Sequence, residues 1–300
     1  WLMASSGQRI QALLKARFPD NAVAQQHYTE LLIPYSDSGL APPNLFSELE
    51  NGADGKFLSA IWEAMLYKHF VGLGFAPTNS SKSSGQNGPD FCLRHDKKTI
   101  WVEAVVPSPE GIPTDYLAPP APGEIRARTT PDHPRVLRCT SVISDKRKKF
   151  SKYIMEGIVK EEDLVVIAVN ICRLSHFDID GSGISQLPLA LESVFPVGPL
   201  SATVAPHGTL AMRHTSRFFV RKNSAKQIET FSFLDPACAG ISAILQGHQK
   251  DVYQRPLVLS QIHNPLARNR LPTGLFDAST EFVATEDGEF YELRNIAQSR

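Results

Sequence analysis

The sequence carries no surplus of charge: 31 basic residues meet 31 acidic ones across 300 positions. Without a net field, the chain as a whole is not drawn to nucleic acid, and a binder would need a local basic face. No apolar run approaches the roughly 18 residues that span a bilayer, so no membrane partner is expected. Cysteine is scarce. Cys92, Cys139, Cys172 and Cys238 are widely scattered, and no pair has the close spacing of a zinc knuckle or redox motif. Each falls in an apolar stretch, which suits a reduced, buried thiol and a cytoplasmic setting. There is no internal repeat, nucleophile elbow, phosphate loop or dinucleotide fingerprint, which leaves a small-molecule hydrolase or transferase without support. The chain opens on Trp1 rather than Met, which leaves room for a native start and a targeting segment upstream.

What is present is a 42% apolar composition, enough to bury a sizeable core as one large domain or two small ones. Residues 8–16 and 22–33 read as short amphipathic helices, with Pro34 and the Pro42–Pro43 pair breaking the pattern. The clearest helix covers 56–71, where Phe57, Leu58, Ile61, Trp62, Met65, Leu66 and Phe70 recur at helical spacing before Gly72 and Gly74. Residues 78–88, rich in Ser, Asn and Gly, read as a mobile loop. Two strands follow at 90–94 and 99–106, then a proline-dense surface excursion at 107–134. A helix over 141–157 leads into Leu164–Ile171, which is apolar on both parities, as in a strand covered on both faces. Strand, helix and strand in this order predict a parallel pair with a right-handed crossover. Beyond 175 the pattern loosens. A hairpin at 218–221 and 229–234, a short helix at 236–246 and a strand at 257–262 are expected, with loops elsewhere.

The chemistry concentrates in Gly88-Pro89-Asp90-Phe91 and Trp101-Val102-Glu103-Ala104-Val105. A hairpin turning symmetrically about Asp96–Lys97 sets Asp90 directly opposite Glu103. Cys92, Trp101 and Val105 share their face, while Phe91, Leu93, Ile100 and Val102 take the other. Directly opposed side chains have Cβ atoms ~5 Å apart, and like charges so placed are destabilising. In an apolar setting two such carboxylates must share a proton or hold a cation, and a hard divalent ion satisfies both. The plainer alternative is that Asp90 caps the loop after Pro89 while Glu103 reaches solvent in another register.

This arrangement resembles the PD-(D/E)XK, or restriction-endonuclease-like, nucleases. Pro89-Asp90, twelve residues, then Glu103-x-Val105 follows their signature of an acid on one strand and acid-x-lysine on the next. The resemblance covers about residues 56–172. It includes an acid on the preceding helix, Glu63, and a following helix and parallel strand. It implies an α/β fold with a mixed central sheet flanked by helices, and a C-terminal α+β extension. The chain then divides into an N-terminal helical segment (1–55), a nuclease-like core (56–175) and an extension packed on that core (176–300). It also implies phosphodiester hydrolysis of nucleic acid, DNA ahead of RNA. Mg²⁺ or Mn²⁺ would be held by Asp90, Glu103 and the main-chain carbonyl of Ala104.

One position departs from the signature: Val105 stands where the lysine belongs. Lys146 is three residues after Ile143 and four before Phe150, on the core-facing stripe of the 141–157 helix, and is the candidate for a migrated lysine. The alternative is a stem lying over apolar surface with the charge in water. Glu63 is the candidate third acid, though exposed helical glutamates are commonplace. Arg147, Lys149 and Lys152, with Lys148 between them, could grip a phosphate backbone or simply form a solvated face. A nuclease-like fold kept only as a binding or protein-interaction module is the rival reading, and Val105 is the residue that favours it.

Overall fold

The computed structural model describes residues 5–51, 54–79, 88–175, 181–204, 208, 210–221, 226–250, 256–287 and 290–297. The expected mobile loop at 78–88 lies largely outside the described residues. Four helices come first: α1 (Ser6–Arg17), α2 (Ala22–Asp37), α3 (Leu45–Glu50) and α4 (Asp54–Gly72). Ser5 opens α1 with a reciprocal capping box to Gln8. Pro34 does not end α2, as its position suggested. It sits in the last turn, where a single hydrogen bond is lost while Leu31, Leu32 and Tyr35 are buried around it.

A central sheet of seven strands runs in the order β1, β2, β3, β8, β9, β10, β11. Its members are β1 (Phe91–His95), β2 (Lys98–Val105), β3 (Leu164–Asn170), β8 (Ala243–Gly247), β9 (Ser260–His263), β10 (Thr280–Asp287) and β11 (Phe290–Asn295). The sheet is mixed: β2–β3, β3–β8 and β9–β10 are parallel, while β1–β2, β8–β9 and β10–β11 are antiparallel. The two small hairpins β4 (Val197–Val204) with β5 (Leu210–Ser216) and β6 (Phe219–Arg221) with β7 (Gln227–Glu229) stand apart from it.

Helices cover both faces, and strand alternation explains how. Phe91, Leu93, Ile100, Val102, Leu164 and Val166 bury against α1–α4. Cys92, Trp101, Val165, Ile167 and Val169 point the other way, against α6 (Asp132–Met155), α7 (Leu189–Glu192) and the 112–116 region around α5 (Thr114–Leu117). Every residue of β3 is buried, as its uninterrupted apolar run predicts.

Four expectations need correcting. The helix expected from 141 begins at Asp132, because Pro134 falls in its first turn, where the missing N–H has no intrahelical partner to lose. The segment 236–246 is not a helix: a 3-10 turn at Pro236–Cys238 gives way to β8. Ala243-Ile-Leu-Gln-Gly is apolar on both parities and becomes a buried strand between β3 and β9. The stretches expected as loops after 262 include β10 and β11, and Ser232–Leu234 is a 3-10 turn rather than a strand. Among the described residues, no helix is long and apolar enough to cross a membrane.

Candidate active site

The β1–β2 hairpin pairs Phe91 with Val102, Cys92 with Trp101 and so on to His95 with Lys98, the register that a turn about Asp96–Lys97 requires. Asp96 takes the left-handed conformation that such a turn demands (φ 53°). Asp90 stands one residue before the ladder, and its Oδ2 accepts the backbone N–H of Ala104 at 2.7 Å. Part of its role is therefore to cap the strand across from it. Glu103 does not escape to solvent; it is wholly buried.

A buried carboxylate needs partners, and Glu103 has two cationic ones on a single oxygen. Lys146 Nζ lies 2.7 Å and Lys149 Nζ 2.5 Å from Glu103 Oε1. The other oxygen, Oε2, is buried and has no hydrogen-bond partner among the described residues. Both lysines come from α6 and stand three residues apart, so one helical face delivers them together. The burial of Lys149 disfavours its charge, but the charge and hydrogen bond of Glu103, with the contribution of Tyr153, together outweigh this and its pKa is raised. Its ammonium also lies 5.5 Å from the centre of the Tyr153 ring.

Glu63 enters from α4, on the opposite side of the sheet. Its Oε2 accepts the hydroxyl of Tyr35 at 2.7 Å, and the buried Tyr35 ring rests against Tyr67 and Phe91. Burial lifts the Glu63 carboxyl to about 7; the Tyr35 hydrogen bond pulls it down, and the charges of Glu48 and Glu103 push it further up. Burial likewise raises Asp90 well above the usual carboxylate range, with Glu103 and then Glu63 adding to the shift. Three carboxyl groups thus share one neighbourhood with two ammonium groups. These side chains, with Ser59 and Trp62, line a cleft of about 210 Å³. Trp62 is fixed there by donating Nε1–H to the Ala168 carbonyl at 3.1 Å, and lies so close to Gly247 that any side chain at 247 would collide with it.

The remaining basic residues of α6 are placed elsewhere. Arg147 donates to Cys238 Sγ at 2.8 Å, Lys148 pairs with Asp145, and Lys152 stands exposed beside Glu156. Tyr35 was not foreseen; it lies 28 residues from Glu63, and nothing local in the sequence announces the pairing. Lys149 was expected to face a phosphate backbone, and its spacing from Lys146 was the available signal that it would turn inward.

The unpartnered Glu103 Oε2 beside Asp90 suits a cation with oxygen ligands. Among the described residues, no group of three or more His, Cys, Asp and Glu side chains is gathered so as to hold a metal ion. An ion here would therefore lean on two carboxylates and on main-chain or water oxygens. No protein-family model matches this chain, and none of the curated proteins or solved structures compared with it matches either.

Proposed function

We propose that the chain hydrolyses phosphodiester bonds of nucleic acid, DNA ahead of RNA, in a metal-dependent site of the restriction-endonuclease-like type. The observation that carries this reading is the state of Glu103: one oxygen held by two lysines, the other unpartnered, beside a second buried acid in an open cleft. Asp90 and Glu103, with the Ala104 carbonyl, would hold Mg²⁺ or Mn²⁺. Such an ion supplies a bound water of lowered pKa and offsets charge gathering on the phosphate.

The protein's own residues would do the rest. Lys146, only 20% exposed at its side chain, is placed to hold Glu103 in orientation and to present positive charge toward a phosphate in the cleft. Lys149, more exposed at 43%, can leave Glu103 for an incoming phosphate oxygen with less desolvation. Glu63, held by Tyr35, would orient water at the edge of the site. Arg147 and Lys152 are the proposed backbone contacts outside it. The four buried cysteine thiols support a reducing, cytoplasmic compartment.

A catalytically silent nucleic-acid or protein-binding module is the second reading. Val105 favours it, as does the occupation of both site lysines by Glu103. Supercoiled plasmid and single-stranded DNA incubated with the protein and Mn²⁺ separate the two. Cleavage that disappears without metal and in Asp90→Asn and Glu103→Gln supports the enzyme. DNA retention without cleavage, indifferent to both substitutions, leaves only the module.

A further inference from the structure

The far end of the sheet holds a second knot of buried polar side chains that the cleft does not use. Gln261 and His263 stand two apart on β9 and share one face. Glu281 pairs with Gln261 across the parallel β9–β10 ladder and points the same way. All three are buried, at 0%, 8% and 1% exposure. Their polar atoms converge: Gln261 Nε2 to Glu281 Oε1 is 2.8 Å, His263 Nε2 to Glu281 Oε1 is 2.7 Å, and Gln261 Nε2 to His263 Nε2 is 2.7 Å. The backbone N–H of Gly274 donates to Glu281 Oε1 at 2.9 Å and to Oε2 at 3.0 Å.

Hydrogen bonds alone do not satisfy this near-equilateral triangle, because each side needs a hydrogen between a donor and an acceptor. His263 Nε2 either donates or accepts. If it donates to Glu281, its N–H meets the N–H of Gln261. If it accepts from Gln261, its lone pair faces the Glu281 carboxylate. A single amide cannot serve both neighbours well, since its two N–H bonds diverge far more widely than the corner of such a triangle. Meanwhile Gln261 Oε1 is buried without a partner among the described residues, although buried side-chain oxygens are nearly always bonded.

A cation relieves the conflict inside the triangle. Turning the Gln261 amide over, a change of no volume, points its oxygen into the triangle beside the imidazole nitrogen and the carboxylate oxygen. Adjacent ligands of a six-coordinate ion with bonds of about 2.0 Å stand about 2.8 Å apart, which matches the triangle's sides. An imidazole among oxygen donors favours a transition ion over Mg²⁺ or Ca²⁺. We propose that Gln261, His263 and Glu281 form one face of a site for a divalent first-row transition ion. Bound there, the ion ties β9 and β10 to the connection that carries Gly274. Gly274, whose N–H holds Glu281, also lines a separate cavity of about 480 Å³ together with Phe75, Arg94 and Thr273. This site does not depend on the nuclease reading.

The test titrates metal-free, full-length protein with Co²⁺ in a large excess of Mg²⁺, which the all-oxygen cleft would take in preference. The expected result is one Co²⁺ per chain with visible d–d absorption and a raised unfolding temperature. Affinity should fall about tenfold or more in His263→Gln and in Glu281→Gln, and stay unchanged in Asp90→Asn. Absence of binding, binding indifferent to both substitutions, or binding lost in Asp90→Asn overturns the proposal. If circular dichroism shows that either variant fails to fold, anomalous diffraction from the wild-type Co²⁺ complex decides. An ion bonded to His263 Nε2 sustains the site; an ion elsewhere, or only an ordered water in the triangle, removes it.

Discussion

Glu103 on β2 and Glu281 on β10 are both buried glutamates on strands of one sheet, yet the fold surrounds them in opposite ways. Glu103 faces α6 and meets two full positive charges on one oxygen. Glu281 faces the other side and meets an imidazole, an amide and a backbone N–H. The first arrangement leaves a charged, partly open cleft; the second is buried among polar groups. Removing the acid should therefore hurt the two regions unequally. Glu103→Ala strands two ammonium groups and should cost about 3–5 kcal/mol. Glu281→Ala strands an amide, an imidazole and a backbone N–H and should cost about 1–3 kcal/mol. Urea unfolding of metal-free protein measures both, and an equal or reversed order would break the contrast. Replacing Glu103, Lys146 and Lys149 together by methionine should recover most of the larger loss, because no unpaired charge then remains.

The same contrast sharpens as a pH dependence, for which Glu63 is the reporter. Its folded pKa is about 7 against an ordinary 4.5, raised first by burial. Below pH 4.5 the group is protonated in both states and costs nothing. As pH rises toward 7, the unfolded chain gives up the proton more readily than the folded one, so stability falls; above 7 the loss is complete. Asp90, also raised, acts in the same sense. Glu63→Gln should flatten this slope and stabilise the protein at pH 8 by on the order of 1–3 kcal/mol. Guanidinium melts at pH 5 and pH 8 check the sign. A wild-type chain more stable at pH 8 than at pH 5, with the difference abolished by Glu63→Gln, would reverse the assignment.

How legible these regions were in the sequence follows from how local their causes are. The Asp90–Glu103 relation depends on one two-residue turn and a period of two, both readable between positions 90 and 103. The helical phase that turns Lys146 inward is likewise local to α6. Glu63 and Tyr35 are joined only by the packing of α2 on α4, which no spacing encodes. The Gln261–His263–Glu281 knot was illegible for a plainer reason: it needs the β9–β10 pairing, and residues 280–287 were expected as loop. Pro134 hid the start of α6 because a proline in a first turn and one in a loop look alike until the helix around it is seen.

Within the cleft the two lysines should themselves differ. Lys146 has 20% of its side chain exposed and Lys149 has 43%. Lys146→Met leaves Glu103 held by the more exposed partner and should cost about 1–3 kcal/mol. Lys149→Met leaves the better-buried pair in place and should cost about 1 kcal/mol or less. Raising salt from 0.05 M to 0.5 M during denaturant unfolding distinguishes them further, since screening acts on exposed charges more than on buried ones. The wild-type advantage over Lys149→Met should shrink with salt, and that over Lys146→Met should persist.

Lys152 marks the lower end of this series and anchors it. Its ammonium lies 3.6 Å from Glu156, with side-chain exposures of 66% and 43%. Lys152→Ala should change stability by less than about 0.5 kcal/mol, because an exposed pair one helical turn apart gains little over hydrated charges. The same substitution has a second use, since the proposed nucleic-acid contact at Lys152 draws on phosphate charge rather than on folding. If Lys152 meets the backbone, its removal weakens DNA binding in Mg²⁺-free buffer and lowers the slope of log affinity against log salt by about one. A variant with unchanged stability and an unchanged salt slope removes Lys152 from the proposed contacts and leaves Arg147 and the two lysines on Glu103 as the functional charge of α6.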